Sequence, residues 1–157
     1  MRKRIIDADI PQTPSAEPDW LDLEPLARVE LSSEETDHPV EAALIAGDAR
    51  GWRARSPGEQ TIRLLFDTPQ SLRHIRLVFT ETLHERTQEL VLKWSGDGGV
   101  SYREIVRQQY NFSPPDSTRE IEDYRVELDS VDALELHIVP DIGGGAACAS
   151  LDQFRVA

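Results

Sequence analysis

Apolar residues at every second position, in one short run after another, constrain this chain more than any other feature. Ile62, Leu64 and Phe66 alternate with Arg63 and Asp67, and Ile75, Leu77 and Phe79 alternate with His74, Arg76 and Thr80. Tyr124, Val126 and Leu128 form a third set, and Leu134, Leu136 and Ile138, interleaved with Glu135 and His137, a fourth. Successive side chains of an extended chain point to opposite faces, so each run predicts a strand buried on one side. Ala27 to Leu31 reads as an earlier strand, and Ala149 to Val156 as a last one, with Leu151 and Phe154 out of phase across a bulge. Helical periodicity is nearly absent, apart from one turn between His38 and Leu44. Short strands at close intervals predict an all-β chain folded as an antiparallel sandwich.

Leu90 to Arg107 carries the strongest turn signal. Leu90, Leu92 and Trp94 share a face of one strand, Ser95 to Gly99 make a turn, and a second strand follows to Arg107. Asp97-Gly98-Gly99 supplies residues that tolerate positive φ where a tight connection needs it.

The chain has 157 residues, enough for one domain with a sizeable core. Residues 1–18 hold Pro11, Pro14 and Pro18 among polar and acidic neighbours, and such a segment buries too little to offset its ordering entropy. It is expected to be an extended or mobile arm, or else to pack Ile5, Ile6 and Ile10 as a short edge strand. Residues 19–157 then form the single domain. Acidic residues outnumber basic ones 29 to 17, and three of the basic ones, Arg2, Lys3 and Arg4, sit at the N-terminus. A net charge of −12 argues against nucleic acid as a partner. Cys148 is the only cysteine, so no intrachain disulfide forms, and no apolar run is long enough to span a membrane. Ile5-Ile6-Asp7-Ala8-Asp9 lacks the apolar core of a secretory signal, which leaves the cytoplasm as the expected location.

Catalytic patterns are missing. His38, His74, His84 and His137 show no paired metal-ligand spacing, and no Gly-x-Ser-x-Gly elbow occurs. Asp141 to Ala146 is glycine-rich but lacks the Gly-Lys-Ser/Thr end of a phosphate cradle, so it reads as a connection before the last strand. The chain is expected not to be an enzyme.

The Ser-Gly-Asp-Gly hairpin with Tyr102 shortly after resembles a signature of the discoidin, or coagulation factor 5/8 type C, family. Trp52 falls where that family places a tryptophan after its first long loop, and Pro69 and Ile75 match a following strand and turn. The resemblance spans roughly Leu26 to Ala157 and implies a galactose-binding-like jelly roll whose members usually bind ligands and catalyse nothing. It also implies that Trp52 packs inside. Many members hold a structural calcium with an Asp in the loop before the tryptophan and a Glu in the last strand. Here Ile45 and Gln153 stand at those places, and Asp48 alone is thin support for a cation that needs several oxygens, so calcium is disfavoured and no cofactor is expected.

In carbohydrate-binding relatives the ligand sits among loops at one end of the sandwich, where planar polar groups bond hydroxyls and a ring stacks on the sugar's C–H face. That implies a site drawn from His84 and Arg86 as donors, Asn111 as donor and acceptor, and Tyr110 or Phe112 as the platform, with Arg53 and Arg55 beside Trp52 as further candidates. The competing reading makes Glu81, Glu85 and Arg86 a solvated loop with local ion pairs, and Phe112 a cap on the core. The expected partner is a carbohydrate, or alternatively a protein bound through the same loops or an exposed sheet face. The oligomeric state is open.

Overall fold

The computed structural model describes residues 1–3 and 17–157. Most of the expected arm, including Ile5, Ile6 and Ile10, lies outside the described residues. From Leu23 onward the order is α1 (Leu23–Leu26), β1 (Ala27–Leu31), α2 (Glu41–Leu44), β2 (Trp52–Pro57), β3 (Gln60–Thr80), β4 (Arg86–Ser95), β5 (Arg103–Phe112), β6 (Arg119–Val139), β7 (Cys148–Leu151) and β8 (Gln153–Val156). All pairings are antiparallel.

The frame is a ribbon of β3 against β6, paired from Gln60↔Ile138 to Thr80↔Arg119. Its register shifts between Leu65 and His74, and Asp67, Thr68 and Pro69 are exposed there. Proline cannot donate to a ladder, so its place at this irregular bend costs no pairing. Ile62, Leu64 and Phe66 before the bend, and Leu72, Ile75, Leu77 and Phe79 after it, enter one core. β1 and β4 flank the first half of the ribbon, β5 pairs outside β4, and β8 pairs with the second half of β3. Gly58 N–H donates to the Ala147 carbonyl and Glu81 N–H to the Thr118 carbonyl, fastening the connections at both ends of the ribbon.

Each of the four alternating runs lies in a strand; the third and fourth occupy the two halves of β6, Tyr124, Val126 and Leu128 half-buried and Leu134, Leu136 and Ile138 fully buried, on the expected parity. Trp52 is fully buried and its indole N–H donates to the Ser33 carbonyl at 3.0 Å. The last segment differs from expectation. Instead of one bulged strand, the chain breaks at Asp152: β7 pairs with β2, while β8 joins β3. The phase mismatch between Leu151 and Phe154 is a change of sheet, with both side chains buried.

The Leu90–Arg107 hairpin forms with a connection from Gly96 to Tyr102. Gly98 and Gly99 have φ of 74° and 85°, a region that glycine enters without a Cβ penalty. Asp97 accepts from the Ser95 hydroxyl at 2.7 Å, the Ser101 amide at 2.9 Å and the Ser101 hydroxyl. Those bonds, led by the Ser101 hydroxyl, pull its carboxyl down to about 2.

Candidate functional site

Tyr110, Asn111 and Phe112 do not lie in a loop. They are the last three residues of β5, and the connection to β6 begins at Ser113. Phe112 is wholly buried and Tyr110 half-buried, with their rings edge to face at 4.9 Å. The Tyr110 hydroxyl donates to the Arg119 carbonyl at 2.9 Å and shares a 2.7 Å hydrogen bond with Ser117. Asn111, on the other face of the strand, is exposed and its Oδ1 accepts from Thr87 at 2.7 Å.

Arg86 opens β4 and points inward. Its Nε donates to Glu81 at 2.8 Å, and its Nη1 to the Pro140 carbonyl at 2.7 Å and to Gln88 at 3.1 Å. The guanidinium lies 4.7 Å from the centroid of the Phe112 ring. Arg86 and Phe112 are therefore brought together, but as a buried cation on a core ring and not as an exposed donor and platform. The Arg86–Glu81 ion pair and the place of Phe112 in the core match the competing reading, but Arg86 is buried at the start of a strand and not part of a solvated loop. A signal for it lay in the sequence: counting back by twos from Leu92 and Leu90 puts Gln88 and Arg86 on the core face.

Burial by itself would raise the Glu81 carboxyl, but Arg86 and the amides of Leu83 and His84 outweigh it and hold it below its ordinary value. Behind Arg86 the polar chain continues. Gln88 donates to Glu120 at 3.0 Å, while the second Glu120 oxygen and the Tyr124 hydroxyl are buried without a partner among the described residues. Burial, then the neighbouring Glu122, pushes the Glu120 carboxyl up to about 8.

Because Glu81 accepts from the amides of Leu83 and His84, at 3.1 and 3.4 Å, the β3–β4 turn is pinned outward. That turn forms one wall of a cleft of about 250 Å³, with Thr80, Glu81, Leu83 and His84 on one side and Glu35, Arg53, Ser150 and the Ala146–Cys148 segment on the other. Arg53 reaches it from β2, opposite Ser150 of β7. Arg53 and His84 are exposed, and among the described residues neither side chain has a hydrogen bond or ion pair. Leu83 is 80 % exposed at the rim. Of the seven candidates, the cleft gathers Arg53 and His84. Arg55 is exposed on β2 and outside its lining, as are Arg86, Tyr110, Asn111 and Phe112.

The cleft residues that sequence reasoning missed are Glu35, Thr80, Leu83 and Ser150. Glu35 and Ser150 come from segments far from the turn that holds Thr80 and Leu83, and only the folding of the ribbon brings them to it. Chemically the cleft offers a guanidinium, an imidazole, two hydroxyls and two carboxylates, one of them held by Arg86, around the exposed Leu83 side chain, an array suited to a polyhydroxylated ligand. A larger groove of about 320 Å³ lies elsewhere, lined by Leu23, Val29, Leu31, Val40 and Leu44 with Glu24, Glu34 and Glu41 among its walls. It has few donors to offer a hydroxylated ring.

No family model matches the chain, and no curated protein matches it in sequence. Solved structures do share its fold. The family 32 carbohydrate-binding module of Clostridium perfringens NanJ, determined with galactose, superposes with a TM-score of 0.61 at 12% identity, over 83% of this chain and 92% of that one. A pectin-binding carbohydrate-binding module gives 0.60 at 18% identity, over 83% and 89%. XRCC1, bound to the catalytic domain of DNA polymerase β, gives 0.62 at 16% identity, over 84% and 96%. The fold is thus the galactose-binding-like, discoidin-like jelly roll that the hairpin and Trp52 suggested.

Proposed function

We propose that this chain is a non-catalytic carbohydrate-binding module whose ligand occupies the cleft between the β3–β4 turn and the β2–β7 edge. The observation that carries this reading is the convergence of Arg53 and His84, unpaired among the described residues, on one cleft beside the exposed Leu83. Arg53 and His84 would bond sugar hydroxyls, Ser150 would donate or accept, Thr80, whose hydroxyl already donates to Asp152, would accept, and Leu83 would take the place of an aromatic platform against the C–H face. The fold neighbours that hold galactose and bind pectin support the ligand class.

An amide-resolved NMR titration with a panel of simple sugars, galactose included, tests it. Saturable shifts at residues 53, 80–84 and 146–150 are expected. A flat response at those positions across the panel sinks the reading.

The larger groove favours a second reading, a protein partner presenting aliphatic side chains flanked by basic ones to match its three glutamates. Saturable shifts along Leu23–Leu31 and Val40–Ile45 on addition of such a peptide would support it over the first.

A further inference from the structure

The fold's carbohydrate-binding and discoidin-like members imply a calcium tying the loop before Trp52 to the last strand, and the donors in this chain do not fit one. Ile45 and Gln153 bring no carboxylate. The loop's own acid, Asp48, is already taken: Arg50 Nη2 sits 2.8 Å from one of its oxygens and Nε 3.1 Å from the other. Those bonds pull its carboxyl down to about 2.

Two carbonyls where the loop begins, those of Ala43 and Ile45, are taken as well, by a residue from the strand that would supply the other metal ligand. Arg155 of β8 directs Nη1 to the Ala43 carbonyl at 2.6 Å and Nη2 to the Ile45 carbonyl at 3.2 Å. Arg155 is only 8 % exposed, and among the described residues it pairs with no carboxylate. A buried cation without an anion is costly, so its partners must be strong dipoles. Ala43 and Ile45 meet that need: they lie at the C-terminal end of α2, where carbonyls lack intrahelical partners. Guanidinium donors are planar and fixed at the fork, so one side chain can hold both carbonyls at once.

We infer that Arg155 is the resident cation of this domain, doing from within the chain what calcium does in relatives, and that the loop from Ala43 to Trp52 is set without metal. Its role is positioning: Arg155 holds α2 and the loop against β8, and the loop leads into β2. The inference does not depend on what the cleft binds.

Thermal unfolding of the full chain in EDTA and in millimolar calcium chloride, with amide spectra of residues 42–52, tests it. The wild type is expected to melt at the same temperature in both, with those amides unmoved by calcium. Arg155→Met is expected to melt about 10 °C lower, an amount typical of stranding buried polar partners in a domain this size, with Arg155→Lys in between. Combining Ile45→Asp, Gln153→Glu and Arg155→Met is expected to give a chain whose melting temperature rises with calcium. A wild type stabilised by calcium or destabilised by EDTA overturns the inference, as does Arg155→Met melting like the wild type. Should Arg155→Met fail to fold, the wild-type calcium and EDTA comparison decides by itself.

Discussion

At one end of the sandwich Asp97 is saturated by Ser95 and Ser101, and Gly98 N–H is held by Asp132 at 2.9 Å. At the other end Arg53 and His84 face solvent unpaired among the described residues, while one strand residue inward Arg86, Gln88 and Glu120 form a buried chain that leaves an oxygen unpartnered. The hairpin end spends its polar groups on its own geometry. The cleft end divides them, with one layer buried to pin the turn and another left free for a ligand. Polar groups in a turn therefore have opposite meaning at the two ends.

The ends also differ in the sign of their response to pH. The Asp97 carboxyl is held below its ordinary value, so its contribution is present above pH 3.8 and fades as pH falls toward 2. The Glu120 carboxyl is raised from 4.5 to about 8, so the folded state holds a proton that the unfolded chain releases. Stability from this group falls as pH rises from 4.5 through 8 and levels off beyond. Acid loosens the hairpin end, and alkali the cleft end.

The contrast is broken most severely by Arg86→Ala, which strands Glu81 and uncovers the Pro140 carbonyl. A loss of about 3–5 kcal/mol in urea unfolding is expected, as for other buried pairs deprived of one partner. A loss under 1 kcal/mol would mean that the cleft end does not rely on its buried layer. Glu120→Gln should stabilise by about 1–2 kcal/mol at pH 8.5 and change little at pH 5, since the amide needs no proton to stay neutral. Parallel pH profiles for variant and wild type would remove Glu120 as the source of the alkaline slope. Asp97→Ala should lower the melting temperature at pH 7, with the two curves converging as pH approaches 2. Curves that stay apart in acid would show that the turn geometry, not the ionised carboxylate, sets the hairpin end. Arg53→Ala should move stability by no more than about 0.5 kcal/mol while abolishing the saccharide-induced shifts. Retained shifts would transfer the binding role to His84 or out of the cleft.

Much of the architecture was legible because period-two patterning is a property of single strands. The four alternating runs and the Asp97 hairpin follow from neighbours within a few residues, while the burial of Trp52 was implied by the family resemblance and not by its local pattern. β2 escaped notice because Trp52-Arg53-Ala54-Arg55-Ser56-Pro57 buries only Trp52 and Ala54, too short an alternation to stand out. The site was less legible for two reasons. Arg86 and Phe112 were weighed by residue type, although strand parity put both inside. Glu35 and Ser150 meet the turn from Thr80 to His84 only through long-range pairing, which no local pattern encodes.

The bent β3–β6 ribbon has a kinetic consequence. The rung from Gln60 to Ile138 closes about twice the length of chain that the rung from Thr80 to Arg119 does. Closing the longer loop costs more entropy, and rungs nearer the β4–β5 hairpin can form first and shorten what remains. Folding that zips from Thr80 around the bend would leave Gln60, and the β2–β7 edge beside it, to dock last. One wall of the cleft would then be early structure and the facing wall late, so local opening near the native state would widen the cleft before it disturbed the core.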